Sequence, residues 1–475
     1  MIRLHNTLTG NAEEFKPLNA NTVTLYTCGP TVYSEPHIGN WVSFIRWDIL
    51  VRTLKADGFN VQRVMNITDV GHLTSDADEG EDKMQKGARR EGITEWEVAE
   101  RYTSRFLEGM TQLNLLPPEH LTKATDHIGI QIKLVQTLEQ KGHTYVLDDG
   151  VYFDTSTFPS YADFAHLDLE AQKAGARIHY NNNKKNSSDF VLWRLTPKSE
   201  TRNMEWDSPW GKGIPGWHIE CSAMAMEYLG ETIDIHTGGI DHIPVHHTNE
   251  IAQSEAASGK QFARFWLHNS HLLSDGTKLA KSLGNSYTLD DIVAKGFSAM
   301  DVRMFILQSH YRTETNFTWE NLDSAKNRLR RWKQIATLRW QTHDTLETDE
   351  SKLHDVNTAM LTAQTALLGA INDDLNTPEA LVAVEQAFDE LEGISLSYVR
   401  HDLLAHFLEY VDALLGLQLI DSTPDISDEH KQLIIERRQA RDNMDWHKSD
   451  IIRDKLLGAN IALSDTAHRT LWYWN

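Results

Sequence analysis

The chain carries two cysteines, and both fall in stretches whose neighbours can do chemistry. Cys28 ends an alternating apolar run, Val23-Thr24-Leu25-Tyr26-Thr27, and is followed at once by Gly29-Pro30. Cys221 closes Gly216-Trp217-His218-Ile219-Glu220-Cys221, and Val245-His246-His247-Thr248-Asn249-Glu250 follows. Two thiolates, an imidazole and a carboxylate four residues after it suit a zinc ion. No C-x-x-C pair anchors the set, so spacing alone leaves small buried cysteines as the simpler reading. A Cys28–Cys221 disulfide is not expected, because the N-terminus carries no secretory pattern.

Two further stretches could handle phosphate. His37-Ile38-Gly39-Asn40 sits where a strand hands over to a helix. Free N–H groups and a partial positive charge at a helix start welcome phosphate, and Gly39 lets a flat base or a phosphate approach the backbone. The His37 imidazole can donate to phosphate oxygens as negative charge builds. Far downstream, Asp275-Gly276-Thr277-Lys278-Leu279-Ala280-Lys281-Ser282-Leu283-Gly284-Asn285 is a small-residue loop with two lysines three apart. Such a loop can bring ammonium groups to a triphosphate. Taken singly, a helix-capping turn and a solvated loop explain each stretch as well.

The elements that must position these residues follow from periodicity. Residues 22–28 alternate as a strand, 39–56 show a helical apolar stripe, and 61–67 read as the next strand. A βαβ unit of this length makes a parallel, doubly wound sheet the default. A helix is predicted over 94–115, closed by Pro117-Pro118, after an acidic loop at 75–83. From 120 to 212 the character changes to mixed short elements with a polar loop at 181–188. A second α/β portion spans 213–270, and beyond Ser286 the chain is almost wholly helical, with a hinge at Thr423-Pro424. The fold expected is α/β: a Rossmann-type parallel sheet split by an insertion, a helical C-terminal half and a small terminal unit.

Composition bounds the function. At 475 residues, 40% hydrophobic and 24% charged, the chain has the make-up of a soluble, multi-domain protein. No apolar run reaches membrane-spanning length, so a cytoplasmic protein is expected. A net charge of −22 argues against indiscriminate binding of polyanions. Local basic clusters still permit a nucleic-acid partner: Lys326 to Lys333, and Arg437-Arg438 with Arg441. Taken by itself, each reads more simply as a solvated helix face.

Together, a His-Ile-Gly-His-like turn and a late Lys-Met-Ser-Lys-Ser-like loop resemble the class I aminoacyl-tRNA synthetases. The surrounding residues narrow the resemblance to the cysteinyl-tRNA synthetase family. It runs from Leu25 to Tyr33 and Asn66-Ile67-Thr68-Asp69, through Leu115 to Pro118, Asp189 to Trp193 and Trp206 to Gly211. It continues in Gly216 to Met224, Asp234 to Gly239, His246 to Ser254, Asp373 to Pro378 and Ile452 to Leu456. That is nearly the whole chain, in order.

The resemblance implies ATP-dependent attachment of L-cysteine to tRNA(Cys) through a cysteinyl-adenylate. It places one Zn2+ on Cys28, Cys221, His246 and Glu250, where the metal takes the substrate thiolate as a further ligand. Four protein ligands usually mark a closed site, so one must loosen or the site must expand; Glu250 is the candidate. Thr68, Trp217 and His236 match positions of the cysteine pocket, with His242 and His247 in supporting places. ATP would lie over Gly39, with His37 and Asn40 at its phosphate end and Mg2+ on the leaving phosphates. Lys281 is the expected transition-state cation and Lys278 the runner-up.

The implied organisation is a catalytic sheet in two halves, 1–119 and 213–270, around an insertion at 120–212. A loop and stem-contact region at 271–325, a tRNA-binding helical bundle at 326–420 and an anticodon-binding unit at 421–475 complete it. A monomer is usual in the family.

The sequence departs from the family at four points: Ala280 replaces a serine, Ile214 an arginine, Thr248 a glutamate, and Val70-Gly71-His72 interrupts an acidic stretch. Two rival readings share the core: a cysteine ligase of the mycothiol pathway acting on an amino sugar, and a non-catalytic synthetase paralogue. The terminal arginines and Trp472 and Trp474 favour single-stranded RNA over the amino sugar.

Overall fold

The computed structural model describes residues 1–72, 82–167, 183–197, 202–279, 284–342, 350–393, 396–465 and 470–474. Lys281, Ala280 and most of the acidic stretch at 75–83 lie outside the described residues, as does the start of the polar loop at 181–188. The chain divides into two compact units. One comprises residues 1–296 with 311–316, the other 297–310 with 317–475.

The first unit opens with a hairpin, β1 (Arg3–Asn6) and β2 (Asn11–Glu14). Its centre is a five-stranded sheet of β3 (Thr22–Thr27), β4 (Asn60–Ile67), β5 (His120–Lys123), β10 (Ile233–Gly239) and β11 (Ala263–Asn269). Their order is β11-β10-β3-β4-β5, and every pairing is parallel. Strand β3 forms because Val23 and Leu25 alternate with threonines, and both faces of the sheet are covered.

Helix α1 (Ile38–Ala56) connects β3 to β4. It is buried on nearly all sides, so its charged residues need partners. Arg52 donates to Asp48 at 2.7 Å, and Arg46 donates to the carbonyls of Ser270 and Tyr311. After β4 come α2 (Lys83–Glu91) and α3 (Glu95–Gln112). The start of α3 follows from sequence, since Thr94 and Glu97 form a capping box.

Helix α4 (Ile128–Gln140) and a four-stranded antiparallel sheet follow, β6 (Thr144–Leu147), β7 (Gly150–Phe153), β8 (Phe190–Leu195) and β9 (Gly213–Pro215). Strand β5 extends the parallel sheet past residue 119, so residues 120–123 belong both to that sheet and to the stretch read from sequence as an insertion. Helix α5 (Trp217–Leu229) returns the chain to β10, and α6 (Thr248–Ser258) leads on to β11.

The strand order reverses between β3 and β10. In an open α/β sheet that is where ligands bind, beyond the carboxyl ends of the strands. Cys28 and Gly238-Gly239 stand at this point.

The second unit is helical: Ala299–Leu307, Trp319–Thr337, Glu350–Asn372, Thr377–Gly393 and His401–Leu415. Two further helices, Asp428–Asp442 and Trp446–Gly458, and a hairpin of Ile461–Asp465 with Thr470–Trp474 close on a small core of Ile426, Ile452, Leu456, Ile461 and Trp472. No helix among the described residues is long and apolar enough to cross a membrane.

Candidate active site and metal centre

A cavity of ≈ 450 Å³ opens at the switch point of the sheet. Its walls include Cys28, Thr68, Trp217, Cys221, His242 and His246 at one end, and His37, Gly39, Asn40, Lys278 and Leu279 at the other.

The first end is built by backbone geometry. Cys28 follows β3 and donates its N–H to the Thr237 carbonyl of β10. Gly29 packs so tightly on the Asn66 carbonyl that a Cβ would sit 1.6 Å from it, and its N–H donates to the Asn66 side chain. Cys221 lies on the buried face of α5. A π-turn at Ile243–His247 runs into α6 and leaves His246 and His247 both buried, with Glu250 one turn further on.

Ligand atoms of Cys28, Cys221, His246 and Glu250 all lie within 4.8 Å of one another. A tetrahedral zinc at about 2.0–2.3 Å from each ligand spans that spread with slight contraction. His246 Nε2 and a Glu250 oxygen are 2.6 Å apart, but that oxygen accepts no hydrogen bond. Two ligand atoms turned toward a shared third point would sit this way. The donor set, two sulfurs with an imidazole and a carboxylate, fits zinc.

Cys28 and Glu250 also form an equally compact set with His236 and His247. Those two imidazoles, however, are absent from the cavity wall. Three members of the first set, Cys28, Cys221 and His246, line the cavity, against Cys28 alone of the second.

The electrostatics sort these groups by charge. A hydrogen bond from Cys221 holds the Cys28 thiol well below its usual range, and the same contact pushes Cys221 well above it. Burial would raise Glu250, but the imidazoles of His236 and His246 hold it below the usual carboxylate range. Burial would lower His246, yet Glu250 and Cys28 lift it to about 10. His247 goes the other way, pushed down to about 3 by burial and by His236. Burial likewise drives His218 and His268 down. A half-buried thiol and a buried carboxylate, each against imidazole, are donors that a divalent cation can bind.

Outer contacts fix the rings. His246 Nδ1 lies 2.9 Å from His218 Nδ1, and His247 Nδ1 lies 2.7 Å from His268 Nε2. His268 Nδ1 in turn meets the Thr7 hydroxyl at 2.7 Å. The other ring nitrogen of His247, Nε2, lies 3.5 Å from the Cys28 sulfur. Such partners hold ring orientation and tautomer at metal sites.

Of the three residues assigned to a cysteine pocket, Thr68 and Trp217 line the cavity. Trp217 packs on His246 at 4.4 Å between centroids, with the Lys83 ammonium 5.4 Å from its own ring. Thr68 donates to Glu220 and accepts from Asn66, both at 3.0 Å. His236 stands elsewhere. It is fully buried, stacks on Trp266, and touches Glu250 at 2.5 Å through Nε2. From there it orients the carboxylate.

At the second end, the Asn40 side chain accepts from the His37 N–H at 3.0 Å, capping α1, and Asn40 remains exposed at the cavity rim. A Cβ on Gly39 would lie 2.8 Å from Leu279. Lys278 is largely exposed, 3.9 Å from Asp241, which also pairs with His271 at 3.2 Å.

Sequence reasoning missed His72, which departs from the resemblance. It bonds the buried Glu220 at 2.5 Å, beneath Thr68. It missed His218 and His268 too; only the density of histidines between 236 and 247 hinted at an imidazole shell.

The basic clusters are partly spent on structure. Arg331 is ringed by Glu385, Asp389 and Glu392, while Arg437 and Arg441 both bind Asp465. Arg438 stays exposed beside Lys431, Ile434 and Trp472 in a shallow cavity of ≈ 260 Å³.

Residues 14–327 match the family model described as the tRNA synthetases class I (C) catalytic domain. The cysteine–tRNA ligase of Treponema denticola is 43% identical over 99% of both chains. That of Legionella pneumophila is 40% identical, again over 99% of both, and cysteine–tRNA ligase 1 of Burkholderia lata is 41% identical over 98% of this chain and 95% of its own. Among solved structures, Mycobacterium tuberculosis methionyl-tRNA synthetase in complex with methionyl-adenylate superposes with a TM-score of 0.60 at 14% identity. The match covers 84% of this chain and 92% of that one, a likeness of fold.

Proposed function

The chain belongs to the cysteine–tRNA ligase family of class I synthetases, and on that premise we propose that a Zn2+ on Cys28, Cys221, His246 and Glu250 reads the thiol of its substrate. The activity is ATP-dependent attachment of cysteine to tRNA. L-cysteine, ATP and tRNA(Cys) are the partners; Mg2+ accompanies the ATP, and the chain acts as a monomer in the cytoplasm.

The observation that carries the zinc reading is the four-donor cluster, three of whose members also line the cavity. When bound, zinc prefers thiolate over the weakly acidic hydroxyl of serine and so supplies the discrimination that a size filter cannot. The chain's own residues do the rest. His236 aims the Glu250 carboxylate, and His218 and His268 orient the imidazoles. Trp217 and Thr68 wall the cavity beside the thiol end.

The substrate carboxylate then attacks the α-phosphate of ATP, and pyrophosphate leaves. His37, at the start of α1, and Lys278 are placed to meet the phosphates, and Lys281 is assigned to the transition state from the family motif. Asn40 caps the helix that presents His37. The terminal ribose of tRNA finally attacks the adenylate carbonyl. No protein nucleophile takes part, so catalysis is positioning plus electrostatics.

The test is charging of unfractionated tRNA with labelled cysteine, with serine as the paired control and zinc measured on the same sample. Cysteine-only charging with about one zinc per chain is expected. Cysteine-specific charging by a preparation without zinc would overturn the metal assignment.

A further inference from the structure

We propose that Arg105 is a positioning residue for adenylate formation, holding the turn that presents His37 in register with the segment that follows the lysine loop. The proposal rests on the adenylating reading of the cavity, and adds a residue that lies outside the family motifs.

Arg105 lies on α3, which is docked rigidly on α1. Phe106 stacks on Trp41 with ring planes 4° apart and centroids at 5.3 Å. Gly109 sits directly under the same indole, where a Cβ would come within 2.3 Å of the ring. One side chain then reaches three carboxylates. The Nε of Arg105 donates to both Glu35 oxygens at 3.1 Å, Nη1 to Glu108 at 2.8 Å, and Nη2 to Asp290 at 2.5 Å.

Two of these partners flank the two phosphate-handling stretches, Glu35 just before the first and Asp290 just after the second. Glu35 lines the cavity two residues before His37. Asp290 is in the first turn of the helix Leu289–Ala294, whose cap, Thr288, forms a backbone bridge with His37. The adjacent Tyr287 carbonyl accepts from the Ile38 N–H at 2.8 Å. Two backbone contacts thus join the segments, and the guanidinium fork adds a side-chain link between them. A planar fork fixes two carboxylates at a set separation and angle, which a single ammonium cannot do. Because phosphoryl transfer tolerates little misplacement, the register of His37 with this segment bears on the rate of the ATP step.

The experiment is cysteine-dependent ATP–pyrophosphate exchange by Arg105→Gln, Arg105→Lys and Asp290→Asn in the full chain, with zinc content and KM for each substrate. Arg105→Gln should lower kcat or raise the KM for ATP by about tenfold, with the KM for cysteine and the zinc content unchanged. Arg105→Lys should recover only part of the loss. The Arg105→Gln/Asp290→Asn double variant should be little worse than Arg105→Gln alone, since both break one linkage.

An Arg105→Gln enzyme with wild-type exchange kinetics would overturn the proposal. So would losses in zinc content and in both KM values together, which would mark general damage to the fold. Failure of the wild-type chain to exchange at all would instead overturn the adenylating reading.

Discussion

The two ends of the cavity are built in opposite ways. At the thiol end, Cys221, His246 and Glu250 are buried, and a second layer of histidines fixes the rings. At the phosphate end, Asn40 and Lys278 are exposed, and the nearest carboxylate to Lys278 is 3.9 Å away. Telling a sulfur from an oxygen in a near-isosteric substrate demands a fixed, dry ligand set. Neutralising a triphosphate demands mobile charge that can arrive late and leave with the product. The difference teaches that selectivity and rate are carried by separable parts of one pocket, so variants should separate them.

The largest effect should come from Cys221→Ser. A hydroxyl is a poor zinc ligand, so the donor set loses one of its two sulfurs. Zinc content and cysteine affinity should fall together, with charging down roughly 100-fold or more. Metal analysis alongside the KM for cysteine checks this, and full activity without bound metal would break the comparison at its root. Lys281→Ala should act the other way round: adenylate formation slowed by roughly 10²–10³, with zinc and cysteine affinity intact. Single-turnover adenylate formation measures it directly.

Two glycines sharpen the contrast with a single methyl group each. A Cβ on Gly238 would stand 2.6 Å from a His247 ring carbon and 2.7 Å from His242 Nδ1. His247 is held from behind by His268 and cannot yield, so Gly238→Ala should weaken metal retention by about tenfold. On Gly39 the new methyl meets the end of the Leu279 side chain at 2.8 Å and the His37 ring at 3.0 Å, both at the phosphate end and away from the metal donors. Gly39→Ala should therefore keep its zinc and its KM for cysteine, and raise only the KM for ATP, where the base or phosphate needs that space.

What the sequence made legible, and what it hid, follows the same line. Strand β3, helix α1 and strand β4 came from local periodicity, within a residue or two of Thr22–Thr27, Ile38–Ala56 and Asn60–Ile67. The donors Cys28, Cys221, His246 and Glu250 were named in advance and do converge. Of the supporting layer, His242 and His247 came from the resemblance, but the pairs behind them were not readable, because no local pattern encodes distant contacts. Thr7 with His268 and His72 with Glu220 are examples. His236 was assigned to the cavity by its place in a motif, whereas its neighbours Trp266 and Glu250 enclose it. Charge runs are ambiguous for a related reason. A sequence shows that Arg331 is basic but not that three carboxylates of another helix already surround it.

The effect that salt can erase is the cleanest test of buried against exposed. Lys278 has 74% of its side chain in solvent and only a loose contact with Asp241. Its pull on incoming phosphate therefore acts through water and is screened within about 8–10 Å at ordinary ionic strength. Lys278→Ala should cost about tenfold in kcat/KM for ATP at low salt, and the gap to wild type should narrow steadily as salt is added. The Cys221→Ser defect, seated where salt does not reach, should keep its size across the same series. Parallel salt titrations of both variants in the exchange assay decide the matter. Two curves of equal slope would mean that the phosphate end is as enclosed as the thiol end, and that the division of labour argued from exposure is wrong.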